Sequence, residues 1–240
     1  LDAKRVTSGN GGVEGWYPYY AGFSDRFARL ILERVNLPAK ATVVDPWNGS
    51  GTTTHIADQL GFNAFGFDIN PIAALVANAK LARPRDAEHV LGLASRIATE
   101  AIAKSVVRTR SGDPLNPWLK PSVVGHYRAI EAAILADLAT DSDGNVASPI
   151  HGRTPPLASF LILALMRSAR KLAGVRSSTN QTWGIPNEDP AGSRQDLAHH
   201  WLGLVRGMAE QLATESKQKG TASEARIADS RKLPLADQSV

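Results

Sequence analysis

Apolar residues form two compact runs early in the chain, and each run is followed by a stretch with helical spacing. Residues 41–45 are β-branched and apolar on both faces, which is typical of a buried strand in a parallel sheet. Residues 64–68 form a second such run, while residues 52–60 and 71–81 have the pattern of helices. The order strand, helix, strand, helix predicts a right-handed parallel crossover.

Helical patterns flank this unit on both sides. A helix is predicted over residues 24–35, with Ser24 as its N-cap and Phe27 on its apolar face. A last short strand is predicted at residues 225–229. Between Pro84 and that strand, loops with Pro and Gly separate helical patterns at residues 86–107, 122–139, 156–173 and 195–217.

These elements predict an α/β fold, a parallel sheet with a large helical insertion. Residues 1–15, rich in Gly, Ser and charged residues, are expected to form a flexible lead-in. Residues 16–84 are expected to form one half of an α/β core, and residues 85–220 a helical insertion in it. Residues 221–240 are expected to return to the core.

Composition agrees with this architecture and excludes some kinds of protein. The 240 residues are 43% hydrophobic and 21% charged, which suits one globular domain with an insertion. The chain has no cysteine, which excludes disulfides and thiolate metal sites within it, and we predict no metal site. No apolar run reaches membrane-spanning length and no signal peptide opens the sequence, so we expect a cytoplasmic protein with no membrane partner.

A glycine-rich turn follows the first strand, and an acidic residue ends the second. The turn holds Gly49 and Gly51, whose backbone amides can approach a ligand at the start of a helix. Asp68 ends the next strand, where a carboxylate can accept both hydroxyls of a ribose. Together these features predict an adenosine-type nucleotide site.

Two other nucleotide sites share a glycine-rich turn and fit less well. A dinucleotide fingerprint needs a glycine at position 54, which is Thr54 here. A phosphate-binding P-loop needs a lysine after the glycines, and none follows. A generic glycine turn in a doubly wound sheet is the structural alternative.

Two motifs resemble those of DNA methyltransferases that modify the amino group of adenine (N6) or cytosine (N4). The segment from Asp45 to Thr53 resembles the family's D-P-F/W-x-G-S-G-T motif, and the segment from Gly66 to Pro71 its G-x-D-x-N-P motif. The resemblance implies a class I methyltransferase-like (Rossmann-like) fold and S-adenosyl-L-methionine as cofactor. The cofactor-binding residues it implies here are Asp45, Pro46, Trp47, Asn48, Gly49, Ser50, Gly51, Thr52, Thr53, Asp68, Ile69 and Asn70.

The resemblance extends before and after these motifs. In the family, a segment before the glycine loop packs over the methionine end of the cofactor, and Phe23 and Ser24 are the matching residues. The segment beginning at Ala228 is similar to the next family segment, whose acid lies near the adenine amine. Asp229 and Ser230 take that place here. The alternatives are ordinary core or cap residues for the first pair and a loop acid at a strand end for the second.

The catalytic motif of that family, S/D/N-P-P followed by an aromatic residue, does not occur in the sequence. The nearest string runs from Thr154 to Leu157, lacks the aromatic residue, and is better explained by prolines at a helix start. We therefore assign no catalytic residue to this chain. We expect a fragment truncated before the motif, or one piece of a split enzyme, with a second chain or a missing C-terminal part supplying it.

The predicted insertion contains no acidic residue between Asp143 and Glu188. Its basic and aromatic side chains suit phosphate contacts and base stacking, and the net charge of +4 permits nucleic-acid binding. Double-stranded DNA is the expected partner. Cations at a helix end also suit the helix dipole, so capping is the alternative. The candidate DNA-binding residues are Arg167, Arg170, Lys171, Arg176 and Trp183.

A pair of adjacent histidines suggests a metal site at first sight. His199 and His200 fall within a predicted helix, where neighbouring side chains point apart, and no third ligand is evident. We interpret them as surface residues beside a core Trp201.

Three functions agree with these observations. The first is an amino-group DNA methyltransferase, whose usual setting is restriction–modification or other phage defence. The second is a class I methyltransferase acting on RNA or protein, although related glutamine methyltransferases usually lack the sequence Asp45-Pro46-Trp47 in the glycine loop. The third is a non-catalytic cofactor-binding or DNA-binding subunit that completes a site in a partner.

Overall fold

The computed structural model describes most of the chain, and within it the residues form a mixed α/β structure. Arg176 and Trp183 lie outside the described residues, as do residues 1–11 of the predicted lead-in. The described residues are 12–17, 22–103, 111–140, 146, 154–174, 190–215, 222–237 and 239.

Three parallel strands form the sheet, in the order β1-β2-β3. Asp45 pairs with Gly66, and Asp68 pairs with Ile227, so all three strands end at the same edge. The predicted strands are confirmed, with ends that differ by one or two residues. Their bounds are Thr42–Asp45 for β1, Asn63–Asp68 for β2 and Glu224–Ile227 for β3.

The first strand is less buried than its sequence predicts. The sequence predicted burial on both faces, yet Val43 and Val44 are only half-buried. The reason is position, because β1 pairs with β2 on one side and has no second partner strand among the described residues.

Three helices belong to the α/β part, and local capping sets where two of them begin. Ser24 Oγ accepts from Phe27 N at 3.2 Å at the start of α1. Asn70 Oδ1 accepts from Ile72 N at 2.9 Å at the start of α3. The three predicted helices are confirmed as α1 (Asp25–Arg34), α2 (Thr52–Gln59) and α3 (Pro71–Lys80).

Four longer helices form an antiparallel bundle in which each helix packs against the next and the last packs against the first. Arg96 and Asp137 join α4 (Ala87–Ala103) to α5 (Pro121–Leu138). The indole of Trp201 on α7 (Arg194–Ala213) donates to Leu161 O on α6 (Pro156–Leu172) at 3.1 Å. α3 packs against α6, which attaches the bundle to the α/β part. These four helices confirm the predicted ones.

Residues just before the α/β part differ from the predicted flexible lead-in. Val13–Trp16 form a 3-10 turn in which Val13 and Trp16 are each 1% exposed. The Trp16 ring meets Phe160 edge-on at 5.1 Å, and its Nε1 donates to Gln211 at 2.7 Å. The prediction of a flexible lead-in over residues 1–15 is therefore wrong for residues 13–15. They belong to a 3-10 turn whose Trp16 indole packs between α6 and α7.

A buried ion pair closes the opposite edge of the α/β part, where α2 and α3 end. Arg83 Nη1 donates to Asp58 Oδ2 at 2.8 Å, and the Asp58 side chain is fully buried. The backbone N–H of Arg83 also donates to Asp86 at 2.8 Å. This pair fixes the connection between α3 and the bundle.

The interpretation of His199-His200-Trp201 is supported where it concerns the tryptophan. Trp201 is 0% exposed and lies in the bundle core, while His199 is exposed. The two imidazole rings lie 5.8 Å apart. No helix in the described part of the chain combines the length and the apolar character that crossing a membrane requires.

Candidate functional site

The turn between β1 and α2 is held against the ends of both neighbouring strands. Asp45 Oδ1 accepts from Trp47 N at 3.0 Å, which closes the first part of the turn. The backbone N–H of Asn48 donates to Phe67 O at 2.9 Å, which ties the turn to β2. The segment Pro46–Gly51 therefore has a defined conformation at the carboxyl edge of the sheet.

Asp68 joins this turn to the end of β2. Its Oδ2 accepts from Gly49 N at 2.8 Å, and its Oδ1 accepts from Asn70 N at 2.8 Å. Each carboxylate oxygen has a second lone pair, so both can accept a further hydrogen bond from a ligand. The structure thus brings together the glycine turn and the strand-end acid, the two features from which the sequence predicted a nucleotide site.

Two of the glycines are required by the packing of the protein itself. Gly51 has φ +80°, and a Cβ there would lie 2.5 Å from the Cβ of Ala77 on α3. A Cβ at Gly66 would lie 2.1 Å from Nδ2 of Asn48. Gly51 lets the turn pack directly against α3, and Gly66 lets β2 pack against the turn. From the sequence, the turn glycines were expected only to let backbone amides approach a ligand.

Asn48 and Thr54 form a buried polar contact beneath the turn that sequence reasoning missed. Thr54 Oγ1 lies 3.2 Å from Asn48 Oδ1 and 3.1 Å from Gly51 O. Because a hydroxyl carries one proton, it donates to one of these acceptors at a time. Thr54 could have indicated this contact, because its hydroxyl can donate to a neighbouring acceptor. In the sequence, Thr54 was noted only because a dinucleotide fingerprint has a glycine at that position.

Two large apolar side chains are exposed at this edge. Trp47 is 77% exposed and lies two residues after Asp45, while Ile69 is 74% exposed and directly follows Asp68. Ser50 and Thr52 are buried, while Pro46 and Thr53 are half-buried. The edge therefore combines apolar surface with the carboxylate of Asp68, which two backbone N–H groups already orient.

Phe23 and Ser24 lie at the start of α1, and their described contacts are local. The Phe23 ring packs against Phe27 with centroids 5.9 Å apart, and Ser24 caps the helix. Their assignment to the methionine end of a cofactor stays a prediction.

Asp229 and Ser230 follow the end of β3, beside Asp68. Ala228 N donates to Asp68 O at 3.1 Å, which places the segment next to the end of β2. Arg231 holds the carboxylate of Asp229 with Nη2–Oδ2 at 2.6 Å and Nε–Oδ1 at 3.0 Å. These hydrogen bonds hold the pKa of Asp229 below its usual value. Ser230 is half-buried.

The described basic candidates lie on the C-terminal half of α6. Arg167 is half-buried, and this burial lowers its pKa. Arg170 lies near Tyr17, whose pKa is raised by burial while the guanidinium acts against the shift. Lys171 is exposed. Their role in DNA binding stays a prediction.

The segment from Thr154 to Leu157 is a helix start, as the sequence indicated. Pro156 is the first residue of α6 and Pro155 precedes it. Thr154 is 4% exposed, and its carbonyl accepts from Ser159 Oγ at 3.3 Å.

A cleft of about 940 Å³ lies away from this edge, between the start of α4 and the end of α7. Arg83 contributes to its wall and pairs with Asp58 at the end of α2, whereas Gly49 precedes the start of that helix. The cleft is therefore on the opposite side of the α/β part from the glycine turn. Charges of both signs line it, among them Arg85, Glu88, Arg206 and Glu210.

Comparison with known proteins gives two curated relatives. The Type II methyltransferase M.BsoBI of Geobacillus stearothermophilus is 37% identical over 71 residues, which are 30% of this chain and 14% of that protein. The Type II methyltransferase M.MjaII of Methanocaldococcus jannaschii is 35% identical over 69 residues, which are 29% of this chain and 13% of that protein. Each match covers a small part of a longer protein.

No family model and no solved structure matches the chain. The two relatives agree with the resemblance that the motifs at Asp45 and Gly66 carry. Over the matched segment, the chain is similar to these two Type II methyltransferases.

Proposed function

We propose that this chain is the cofactor-binding portion of an S-adenosylmethionine-dependent DNA methyltransferase that modifies an exocyclic amine, adenine N6 or cytosine N4. The observation that carries the proposal is the 2.8 Å hydrogen bond from Gly49 N to Asp68 Oδ2, because it unites the glycine turn and the acid in one site. The two Type II methyltransferase relatives support it. A class I methyltransferase-like fold is part of the same proposal, supported by the parallel order β1-β2-β3.

The residues at the carboxyl edge fit S-adenosylmethionine. Asp68 would accept from the ribose hydroxyls, since each of its oxygens keeps an acceptor position. The exposed apolar side chains of Trp47 and Ile69 would pack against the adenine ring. Asp229 would accept from the adenine amine, in exchange for part of its contact with Arg231.

S-adenosylmethionine, when bound, supplies a sulfonium methyl group that an amine can attack directly. The residues of this chain would contribute by binding and orientation, which converts an encounter of two molecules into a reaction within one complex. Amine methylation needs no cysteine nucleophile, which agrees with a chain that has none.

We propose further that the residues holding the target amine come from a second chain or from another part of the protein. No S/D/N-P-P-aromatic string occurs in the 240 residues. β1 has one edge without a partner strand among the described residues, and Val43 and Val44 beside it are half-buried. Such an edge suits the addition of a further strand.

The absent motif also favours a second candidate, a non-catalytic cofactor-binding or DNA-binding subunit. The two candidates differ in whether the assembled protein transfers methyl groups to DNA. Transfer to RNA or to protein instead would support the third function considered from the sequence. Restriction–modification is the proposed setting, because both relatives are named Type II methyltransferases.

Calorimetric titration with S-adenosylmethionine tests the proposed function. The wild-type chain is expected to bind at one site, and Asp68→Ala to weaken binding about 100-fold or more, since hydrogen bonds to a charged acceptor are lost. Asp137→Ala is the matched control, because Asp137 is also a partly exposed aspartate but lies on α5. Equal affinities for the two variants, or no binding to the wild type at saturation, would contradict the proposal.

A further inference from the structure

One end of the bundle has a charge distribution unlike the rest of the molecule. It includes the C-terminal half of α6 and the start of α7, within residues 154–174 and 190–200. The segment before α5, whose Asp113 is paired with Arg128, also packs against Ala191 there. Within residues 154–174 and 190–200 the only acid is Asp196, whose carboxylate accepts from Ser193 N and Ser193 Oγ at the cap of α7. The basic end of the bundle is defined here as Arg167, Arg170, Lys171 and Arg194.

The two helices that form the basic end are in direct contact. A Cβ at Gly192 would lie 3.4 Å from Leu172 Cδ1, which places the start of α7 beside the end of α6. The pKa of His200 on α7 is lowered by burial and also by the positive charge of Lys171 on α6. His200 and Lys171 are therefore close enough to interact electrostatically. The cations of both helices therefore belong to one surface.

Arg167 differs from the other cations of this surface. It is half-buried, and no hydrogen bond or ion pair to it is found in the part of the chain that the structure describes. A guanidinium removed from water without an anion nearby is unfavourable, and buried charges in proteins are normally paired. An anionic partner from outside the chain would complete its surroundings.

Helix capping explains part of the basic end but does not explain Arg167. Cations interact favourably with a helix dipole within the last turn, and Arg170 and Lys171 occupy the last turn of α6. Arg167 precedes that turn, so the dipole does not account for its position. Arg167, Arg170 and Lys171 nonetheless share one face of the helix, because their spacing is i, i+3 and i+4.

We propose that the basic end of the bundle binds the phosphodiester backbone of double-stranded DNA, with Arg167 reaching a phosphate from its half-buried position. A planar guanidinium suits a phosphate because it can donate two parallel hydrogen bonds. The proposal deepens the proposed function, since it rests on DNA as the substrate. The position of α3 agrees with the proposal. α3 begins next to Asp68 and packs against α6, so it connects the carboxyl edge of the sheet to the helix that carries Arg167.

The other end of the bundle lacks these properties. There Arg83 is paired with the buried Asp58, and Arg85 and Arg206 share their cleft with Glu88 and Glu210. A DNA backbone would meet both signs of charge at that end. Arg206 therefore serves as a control, an arginine on the same bundle with no ion pair among the described residues.

Duplex DNA binding measured by fluorescence anisotropy at several salt concentrations tests the proposal. Arg167→Met is expected to lower affinity about tenfold and to reduce the slope of log K against log salt by about one, as for one lost phosphate contact. Arg167→Lys is expected to recover most of the affinity, because it restores the charge. Arg206→Met is expected to bind like the wild type. Equal affinities for Arg167→Met and the wild type would overturn the proposal.

Thermal melting separates a binding role from a structural one. Without DNA, Arg167→Met is expected to melt at the wild-type temperature or above it, because an unpartnered charge is removed. A lower melting temperature together with unchanged DNA affinity would overturn the proposal. Should the methionine variant not fold, Arg167→Gln and Arg170→Gln provide the same test of the salt slope. A loss confined to duplex RNA would overturn the assignment to DNA.

The same variants distinguish this inference from the proposed function. Arg167→Met is expected to keep the wild-type affinity for S-adenosylmethionine, and Asp68→Ala to keep the wild-type affinity for DNA. If no cofactor binds but Arg167→Met still weakens DNA binding, the proposed function fails and the DNA surface stands. If the cofactor binds and Arg167→Met has no effect on DNA, the DNA surface alone fails.

Discussion

Asp68 and Arg167 are charged side chains in two regions of the molecule, and they differ in what surrounds them. Asp68, at the carboxyl edge of the sheet, accepts hydrogen bonds of 2.8 Å from Gly49 N and Asn70 N. Arg167, at the basic end of the bundle, has no hydrogen bond or ion pair with the residues that the structure describes. Among the described residues, the first charge has hydrogen-bond partners and the second has none.

The difference shows two ways in which a protein can hold a charge for a ligand. Backbone N–H groups hold Asp68 in one orientation, so little reorganisation is needed when a ribose binds. Arg167 has no such partner among the described residues, and under the proposal a phosphate of DNA would compensate for its burial. The first region therefore resembles a preformed small-molecule site, and the second a surface that a macromolecule completes.

The largest effect is expected where a satisfied charge loses its partner. Asp58 is fully buried and paired with Arg83 at 2.8 Å. Arg83→Met should lower the free energy of unfolding by about 3–5 kcal/mol, because the buried carboxylate loses its ion pair. Urea unfolding measures this loss. Arg167→Met, which removes a charge without a partner, is the control, and comparable losses in the two variants would contradict the distinction.

A smaller loss is expected from the packing beneath the glycine turn. Gly51→Ala should lower the free energy of unfolding by about 2–4 kcal/mol, because a Cβ meets Ala77 and φ is +80°. Gly92→Ala is the matched control, since a Cβ at that helical position meets nothing within 4 Å. It should stabilise the protein by about 0.5–1 kcal/mol. A loss of stability in Gly51→Ala no larger than in Gly92→Ala would contradict the tight packing of the turn.

The smallest effect is expected from Asp196, the only acid within residues 154–174 and 190–200. The hydrogen bonds from Ser193 hold the pKa of Asp196 below its usual value, so Asp196 is ionised at neutral pH. Asp196→Asn removes this charge and keeps an acceptor for the cap, so DNA affinity should rise about twofold at low salt. Anisotropy measures the change, and a fall in affinity would mean that DNA does not lie near α7.

The helices and strands followed from local signals in the sequence. Pro71 and Pro156 are each the first residue of a helix, and Ser24 caps another, as their positions predicted. Such signals act within one turn of a helix, so they can be read from neighbouring residues alone. The association of Gly49 with Asp68 was also predictable, because parallel strands end at the same edge of a sheet.

Contacts between distant residues did not follow in this way. The sequence gives no sign that Asn48 lies against Gly66, that Ala77 excludes a side chain at Gly51, or that Arg83 pairs with Asp58. The burial of Trp16 was missed because its partners lie on α6 and α7. The basic residues of α6 were identifiable by composition, but the missing partner of Arg167 becomes visible only in the folded chain.

The central claim, that the turn at Gly49 and the acid Asp68 form an S-adenosylmethionine site, is tested most directly by nuclear magnetic resonance. The amide N–H groups of Gly49 and Asn70 donate to Asp68, so both report on its carboxylate. We predict that their signals shift together and saturably during titration with S-adenosylmethionine, while the amide of Arg167 does not shift. Unchanged signals from Gly49 and Asn70 at saturating cofactor would contradict the claim.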